Sequence, residues 1–122
     1  MVNAVNTVGV MGKGIALMFK KAFPDNFRQY KRACDKNEVL VGKMFTSRSD
    51  STNQWIINFP TKKHWRNESE LGWIESGLDD LKRFVIEKHI KSIAIPPLGC
   101  GYGKLKWDDV RALMEKKLSV LK

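Results

Sequence analysis

The feature that most constrains this chain is a change of periodicity between Asn3 and Phe23. Asn3-Ala4-Val5-Asn6-Thr7 is short and extended; Gly9, Gly12 and Gly14 then interrupt, and Ile15, Phe19 and Ala22 recur at helical spacing, with Leu17, Met18 and Phe23 widening the apolar stripe. The glycines therefore lie between a strand end and a helix start. Such a junction exposes unpaired N–H groups and a partial positive charge, and glycine lets a ligand come close to the backbone, so it suits a phosphate. An ordinary glycine-rich turn has the same composition. The spacing is G-x-x-G-x-G rather than the dinucleotide fingerprint G-x-G-x-x-G, and no Ser or Thr follows Lys13 as a P-loop requires.

A chain of 122 residues suits one domain, 1–122, with a single core. Its 22 basic and 13 acidic residues give a formal charge of +9, which biases encounters toward polyanions such as nucleic acid, although dispersed lysines also serve solubility alone. Cys34 and Cys100 show neither disulfide-framework nor zinc-site spacing, so no metal is indicated and a reducing cytoplasm is the expected compartment. No apolar run approaches the ~20 residues that span a bilayer, and no signal segment opens the chain, so no membrane role is expected.

Further along, Phe27, Tyr30 and Cys34 extend a helical pattern to about Asp35. Val39 to Phe45 and Trp55 to Phe59 predict two strands joined by a polar hairpin loop, Ser47–Asn53. Pro60 to Arg66 is a basic loop carrying Trp65, able to hold phosphate and stack on a base, or to serve as a solvated connector. Asn67 with Glu70 resembles a capping box for a helix striped by Leu71, Ile74, Leu78, Leu81 and Val85 and ending near Lys88; His89 reads as a charge-complementing end residue. Ser92–Ile95 predicts a short buried strand. Asp108 can cap a last helix whose inner face is Val110, Leu113, Met114 and Leu118. The order β, α, α, β, β, α, β, α implies a sheet covered by helices, with ligands at the carboxyl ends of strands. Gly9–Gly14, Thr61–Arg66 and Gly99–Gly103 all fall at such ends. Two glycine loops can present N–H groups to a diphosphate while the basic loop covers what is attached to it.

Asn3-Ala4-Val5-Asn6-Thr7 with the Gly9–Gly14 run and Ala22-Phe23-Pro24 resembles the first ligand loop of macro domains, the ADP-ribose-binding α/β modules. Ile95-Pro96-Pro97-Leu98-Gly99-Cys100-Gly101, with Leu105 and Trp107, resembles their second loop. Asn58 to Arg66 resembles a segment peculiar to the DNA ADP-ribosyl glycohydrolase antitoxins, the DarG-type group. The resemblance implies a layered α/β/α macro fold with a mixed central sheet, apparently minimal, since the usual N-terminal strand, its adenine-binding aspartate and the last strand have no counterpart here.

It further implies an ADP-ribosyl hydrolase that removes ADP-ribose from a DNA base by cleaving the glycosidic bond, without metal or cofactor. A cognate ADP-ribosyltransferase toxin is the implied partner. Lys62 corresponds to the lysine held to be catalytic: an amine can attack the ring-opened sugar, or a cation can assist departure. Asn6, Thr7, Gly9, Val10, Met11, Gly12, Lys13 and Gly14 correspond to one side of the ADP-ribose site, with Asn6 at the distal ribose. Pro97, Leu98, Gly99, Cys100, Gly101, Tyr102 and Gly103 correspond to the other, and Lys63, His64, Trp65 and Arg66 to the nucleic-acid contact. Some lysine-dependent relatives carry an aspartate where Gly103 stands, so a single-lysine mechanism fits better than a Lys–Asp pair. A non-catalytic ADP-ribose reader, a basic nucleic-acid-binding remnant of the fold and a phosphatase acting on phosphorylated ADP-ribose are the alternatives.

Overall fold

Val2 to Asn6 alternates inward-facing residues on two faces, and this strand, β1, packs helices on both. The computed structural model describes residues 1–49, 54–64, 67–96, 98–100 and 103–118. Its elements are β1 (Val2–Asn6), α1 (Gly14–Ala22), α2 (Pro24–Asp35), β2 (Phe45–Arg48), β3 (Trp55–Lys62), α3 (Leu71–Glu87) and α4 (Trp107–Leu118). The sheet is mixed, in the order β1-β3-β2: β3 runs parallel to β1 and antiparallel to β2. Val2, Ile57 and Phe59 face α3 and α4, meeting Ile74, Leu78, Leu81, Val85 and Val110; Val5 faces the other way, against Met11, Tyr30, Ala33 and Cys34. Two small cores thus lie on opposite faces of one sheet, which gives the α/β/α layering expected.

On the α3 side Gly77 lets the helix come down on Phe59: a Cβ there would stand 2.4 Å from the ring. On the α2 side amides join helix and sheet beside the apolar cluster around Val5. Asn58 Nδ2 donates to Asn26 Oδ1 at 2.9 Å and to the Phe45 carbonyl at 2.9 Å, Asn26 Nδ2 donates to Asn58 Oδ1 at 3.2 Å, and the Ser47 hydroxyl donates to Asn26 Oδ1 at 2.6 Å. All three side chains are buried, so this network fixes how α2, β2 and β3 sit together.

Several expectations need correction. No residue of α1 is buried: Ile15, 45% exposed, lies in a first turn that lines a cavity rather than a core, and Met18 is 68% exposed. Val39–Phe45 is not a strand. Gly42 has φ +84 and Lys43 N–H donates to the Leu40 carbonyl at 3.2 Å, so the chain turns there, and β2 begins only at Phe45 and takes in Ser47 and Arg48. Asn67 caps nothing, since α3 starts at Leu71 with Glu70 at its N-cap and no side-chain cap bond. Asp108 lies inside the first turn of α4 rather than before it. Ser92–Ile95 is extended beside β1, with Val2 N–H donating to the Ala94 carbonyl at 3.0 Å, but it forms no ladder and is exposed to half-buried. Among the described residues no helix is long and apolar enough to cross a membrane.

Candidate functional site

The carboxyl ends of the parallel pair β1 and β3 open on one cavity of about 460 Å³. The pairing brings Lys62 there. Val5 pairs with Pro60 and Asn6 with Lys62, so Thr61 is left over in a one-residue bulge, and both Thr61 and Lys62 line the cavity. Pro60 lies beyond the last β2 pair, at Asn58, where a missing donor is tolerated. Thr61 and Lys62 are therefore strand residues, and the basic loop begins only at Lys63.

The first glycine loop is held by Asn6. Its side-chain oxygen accepts from Val8 N–H at 3.1 Å, Val10 N–H at 3.3 Å and the Tyr30 hydroxyl at 2.8 Å, and its amide donates to the Val10 carbonyl at 2.7 Å. One buried side chain thus folds the loop onto α2. Val10, Gly12, Lys13, Gly14 and Ile15 line the cavity, whereas Gly9 packs on Lys31 and Cys34 and Met11 is core. Lys13 is the N-cap residue of α1, and no side chain caps that helix. Its first-turn N–H groups and partial positive charge therefore sit beside the cavity wall. Thr7 ties the two strand ends together, its hydroxyl donating to the Lys63 carbonyl at 2.8 Å.

The second loop forms the opposite wall through Pro96, Gly99, Cys100 and Gly103, while Leu98 is core. Gly99 has φ +73, and a Cβ on it would meet Leu105 Cδ1 at 2.6 Å, so backbone and space both demand glycine. Leu105 N–H to the Gly99 carbonyl, 2.9 Å, closes the turn. At Gly103 a Cβ would stand 2.5 Å from Ser69 Oγ and 3.8 Å from Lys62 Cε. A carboxylate side chain has no room there unless Ser69 moves.

Burial lowers the Lys62 amine from the usual lysine range, and the nearby positive charge of Lys13 lowers it further. Burial raises the Cys100 thiol, so this wall offers a neutral sulfur rather than a thiolate. The cavity lining carries two lysines and no carboxylate among the described residues. Lys63 turns away, its ammonium 5.5 Å from the Trp73 ring centroid, and His64 follows it outside the cavity lining. Trp65, Arg66, Pro97, Gly101 and Tyr102 lie outside the described residues. Sequence reasoning missed Ser69, hidden inside the supposed capping box, and the Thr61 bulge, of which Pro60 is the visible sign.

A cavity with a helix N-terminus, two glycine-bearing walls and two amines can hold an anionic ligand and place beside it an amine whose basicity burial lowers. A family model for the macro domain matches residues 2–114. The chain is 48% identical over 123 residues to a DNA ADP-ribosyl glycohydrolase of Thermus aquaticus, covering 99% of this chain and 34% of that one. It is 40% identical over 139 residues to a DNA ADP-ribosyl transferase–DNA ADP-ribosyl glycohydrolase fusion protein of Thermosipho africanus, covering 97% and 35%. The chain thus spans about a third of the length of these curated relatives. Among solved structures, the macrodomain of Mycobacterium tuberculosis DarG superposes with a TM-score of 0.96 at 50% identity, covering 98% of this chain and 80% of that one.

Proposed function

The chain belongs to the macro domain family, and on that premise we propose that it is an ADP-ribosyl hydrolase that removes ADP-ribose from a modified DNA base, with Lys62 as its nucleophile. The observation that carries this is the meeting of Lys62 with the α1 N-terminus and both glycine loops around one cavity. The pyrophosphate lies against the α1 N-terminus and Lys13, and the distal ribose extends toward Lys62 and the second loop. Relatives named for this activity share 48% identity with nearly the whole chain, which supports the choice of substrate.

The chemistry follows from the amine's surroundings. Lowering its proton affinity raises the fraction that is neutral and nucleophilic at physiological pH. The amine nitrogen bonds to the anomeric carbon as the bond to the base breaks, and the proton lost from nitrogen passes to the departing base. The resulting glycosylamine opens to an imine, which water hydrolyses to free ADP-ribose and the regenerated amine. Lys63, just past the end of β3, adds to the positive charge that attracts the DNA strand. A DNA ADP-ribosyl transferase that installs the modification is the natural partner, since one relative fuses both activities in one chain. Cys34, buried, and Cys100, half-buried, are both free thiols, which fits a reducing cytoplasm.

The test is chromatography of ADP-ribosylated single-stranded DNA incubated with the wild type and with Lys62→Ala. Wild type releases free ADP-ribose, and the variant loses about 100-fold or more in turnover, the scale expected for removal of a nucleophile, with an unchanged circular dichroism spectrum. Equal turnover by the two proteins rejects the role of Lys62. Saturable ADP-ribose binding with no product from the wild type would make the chain a reader.

A further inference from the structure

Positive charge is not spread evenly along the chain. Seven basic and two acidic residues lie between Lys13 and Lys36, so about a fifth of the sequence carries five of the nine net positive charges. This stretch folds into α1 and α2. Cations in the last turn of a helix complement its dipole, which accounts for Lys20, Lys21 and Arg32. Arg28 and Lys31 have no such reason: they stand mid-helix in α2, exposed and one turn apart, and Arg28 pairs with Asp25 of its own helix.

Aromatic rings lie among these charges. Lys20 Nζ stands 4.6 Å from the Phe27 ring centroid, which links the end of α1 to α2. Lys31 is one turn beyond Phe27, and its stem runs along the first glycine loop, with Cγ 3.5 Å from where a Gly9 Cβ would be. Phe19 and Phe23, half-buried with centroids 5.6 Å apart, join neither core cluster among the described residues. From Gly9 the loop leads back to Thr7, whose hydroxyl holds the Lys63 carbonyl, and the adjoining Lys62 lines the cavity. A row of cations and rings thus runs from α1 over α2 to the strand end that carries the amine.

We propose that the exposed face of α1 and α2 binds the single-stranded DNA flanking the modified base. This rests on the reading that the ADP-ribose is attached to DNA. Phosphates lie along Lys20, Lys21, Arg28, Lys31 and Arg32, and the half-exposed rings offer flat faces to unpaired bases, which a duplex keeps stacked. An anionic bilayer needs a broad apolar face, and outside the cavity lining Met18 is the one large apolar side chain that α1 and α2 expose. An acidic polypeptide would use the cations and leave the rings idle. Phosphate contacts carry no sequence information, so this face adds affinity for a strand whichever base is modified.

The experiment follows the polarisation of a fluorescent, unmodified oligothymidine across a range of salt concentrations. It compares wild type, Lys31→Gln/Arg32→Gln, Lys20→Gln/Lys21→Gln and, as a control of equal charge from the far end of α3, Lys88→Gln/Lys91→Gln. Each α1 or α2 pair should weaken binding about 10-fold at low salt and lower the slope of log K against log salt by about 1.4, the loss of two phosphate contacts on a single strand. The control should stay within about twofold of wild type. On ADP-ribosylated DNA the same two pairs should raise KM about 10-fold with kcat within about twofold, and calorimetry with free ADP-ribose should find the cavity intact. Equal losses in all three pairs, no loss in the α1 and α2 pairs, or tighter binding to phosphatidylserine vesicles or to duplex than to the single strand overturns the proposal. Should the wild type release no ADP-ribose while the α1 and α2 pairs alone lose DNA affinity, the hydrolase reading fails and the DNA-binding face stands.

Discussion

Replacing Asn6 separates loop architecture from ligand chemistry. Asn6 is 6% exposed and makes four side-chain hydrogen bonds, three accepted by its oxygen and one donated by its amide. Each such bond is worth about 0.5–1.5 kcal/mol net. Val8 and Val10, at 42% and 39% exposure, can turn their freed backbone groups to water, and the Tyr30 hydroxyl keeps the Asn6 carbonyl at 2.9 Å, so no donor is stranded. Asn6→Ala should therefore lose about 2–3 kcal/mol, at the lower half of the summed range. Asn6→Asp keeps the three accepted bonds and loses only the donated one, so it should lose about 1 kcal/mol. It also places a carboxylate beside the phosphate wall. Urea unfolding followed by tryptophan fluorescence measures the first effect and titration calorimetry with ADP-ribose the second. The expected pattern is an inversion: alanine is the less stable variant, aspartate the weaker binder, by at least about tenfold. Equal stability of Asn6→Ala and wild type refutes the account of Asn6 as the loop's scaffold.

Lys13→Gln removes a positive charge that disfavours the protonated Lys62, so the rising limb of the pH–kcat profile should move to higher pH, while Lys13→Arg leaves it in place. A limb indifferent to both variants would mean that Lys13 does not act on the amine. The same sign holds for folding: a lysine with a depressed pKa in the folded protein contributes more stability as pH rises from its folded value toward 10.5, and Lys62→Met should flatten that slope in unfolding curves. Gly77→Ala gains helix propensity of about 1 kcal/mol but drives a Cβ to 2.4 Å from the buried Phe59 ring. A core overfilled in this way loses about 1–3 kcal/mol, so a net fall in the thermal midpoint is expected, and a rise would show that the ring moves freely.

How far the sequence predicts this molecule depends on the range of the interaction. The α2 and α3 faces were readable because Tyr30 and Cys34, or Ile74, Leu78, Leu81 and Val85, repeat at the helical period within one segment. The convergence of the Gly9–Gly14 and Gly99–Gly103 loops followed from strand ends in an α/β layout, and the structure places both on one cavity. The asparagine network was not readable: Asn26, Asn58 and Ser47 are scattered, and each alone looks like a surface or turn residue. Apolar spacing in α1 was real, but it could not say that Ile15 would face a cavity. Ile93 and Ile95 have strand character; what makes a ladder is a neighbour with matching register, and here one bond to Val2 is the extent of it. Ser69 was invisible because its significance comes from atoms that Gly99 and Gly103 lack.

The supernumerary Thr61 has a consequence for how such a site varies. In a regular strand adjacent side chains alternate sides, so a threonine and a lysine in succession could not both serve the same chamber. The surplus position works as a phase shifter. It converts an odd-even question into a matter of chain count, and the amine's address is written in the number of residues after Asn58 as much as in their kinds. Replacement of a residue along this strand leaves that count as it is, whereas gain or loss of one residue would trade the amine for its neighbour in a single step.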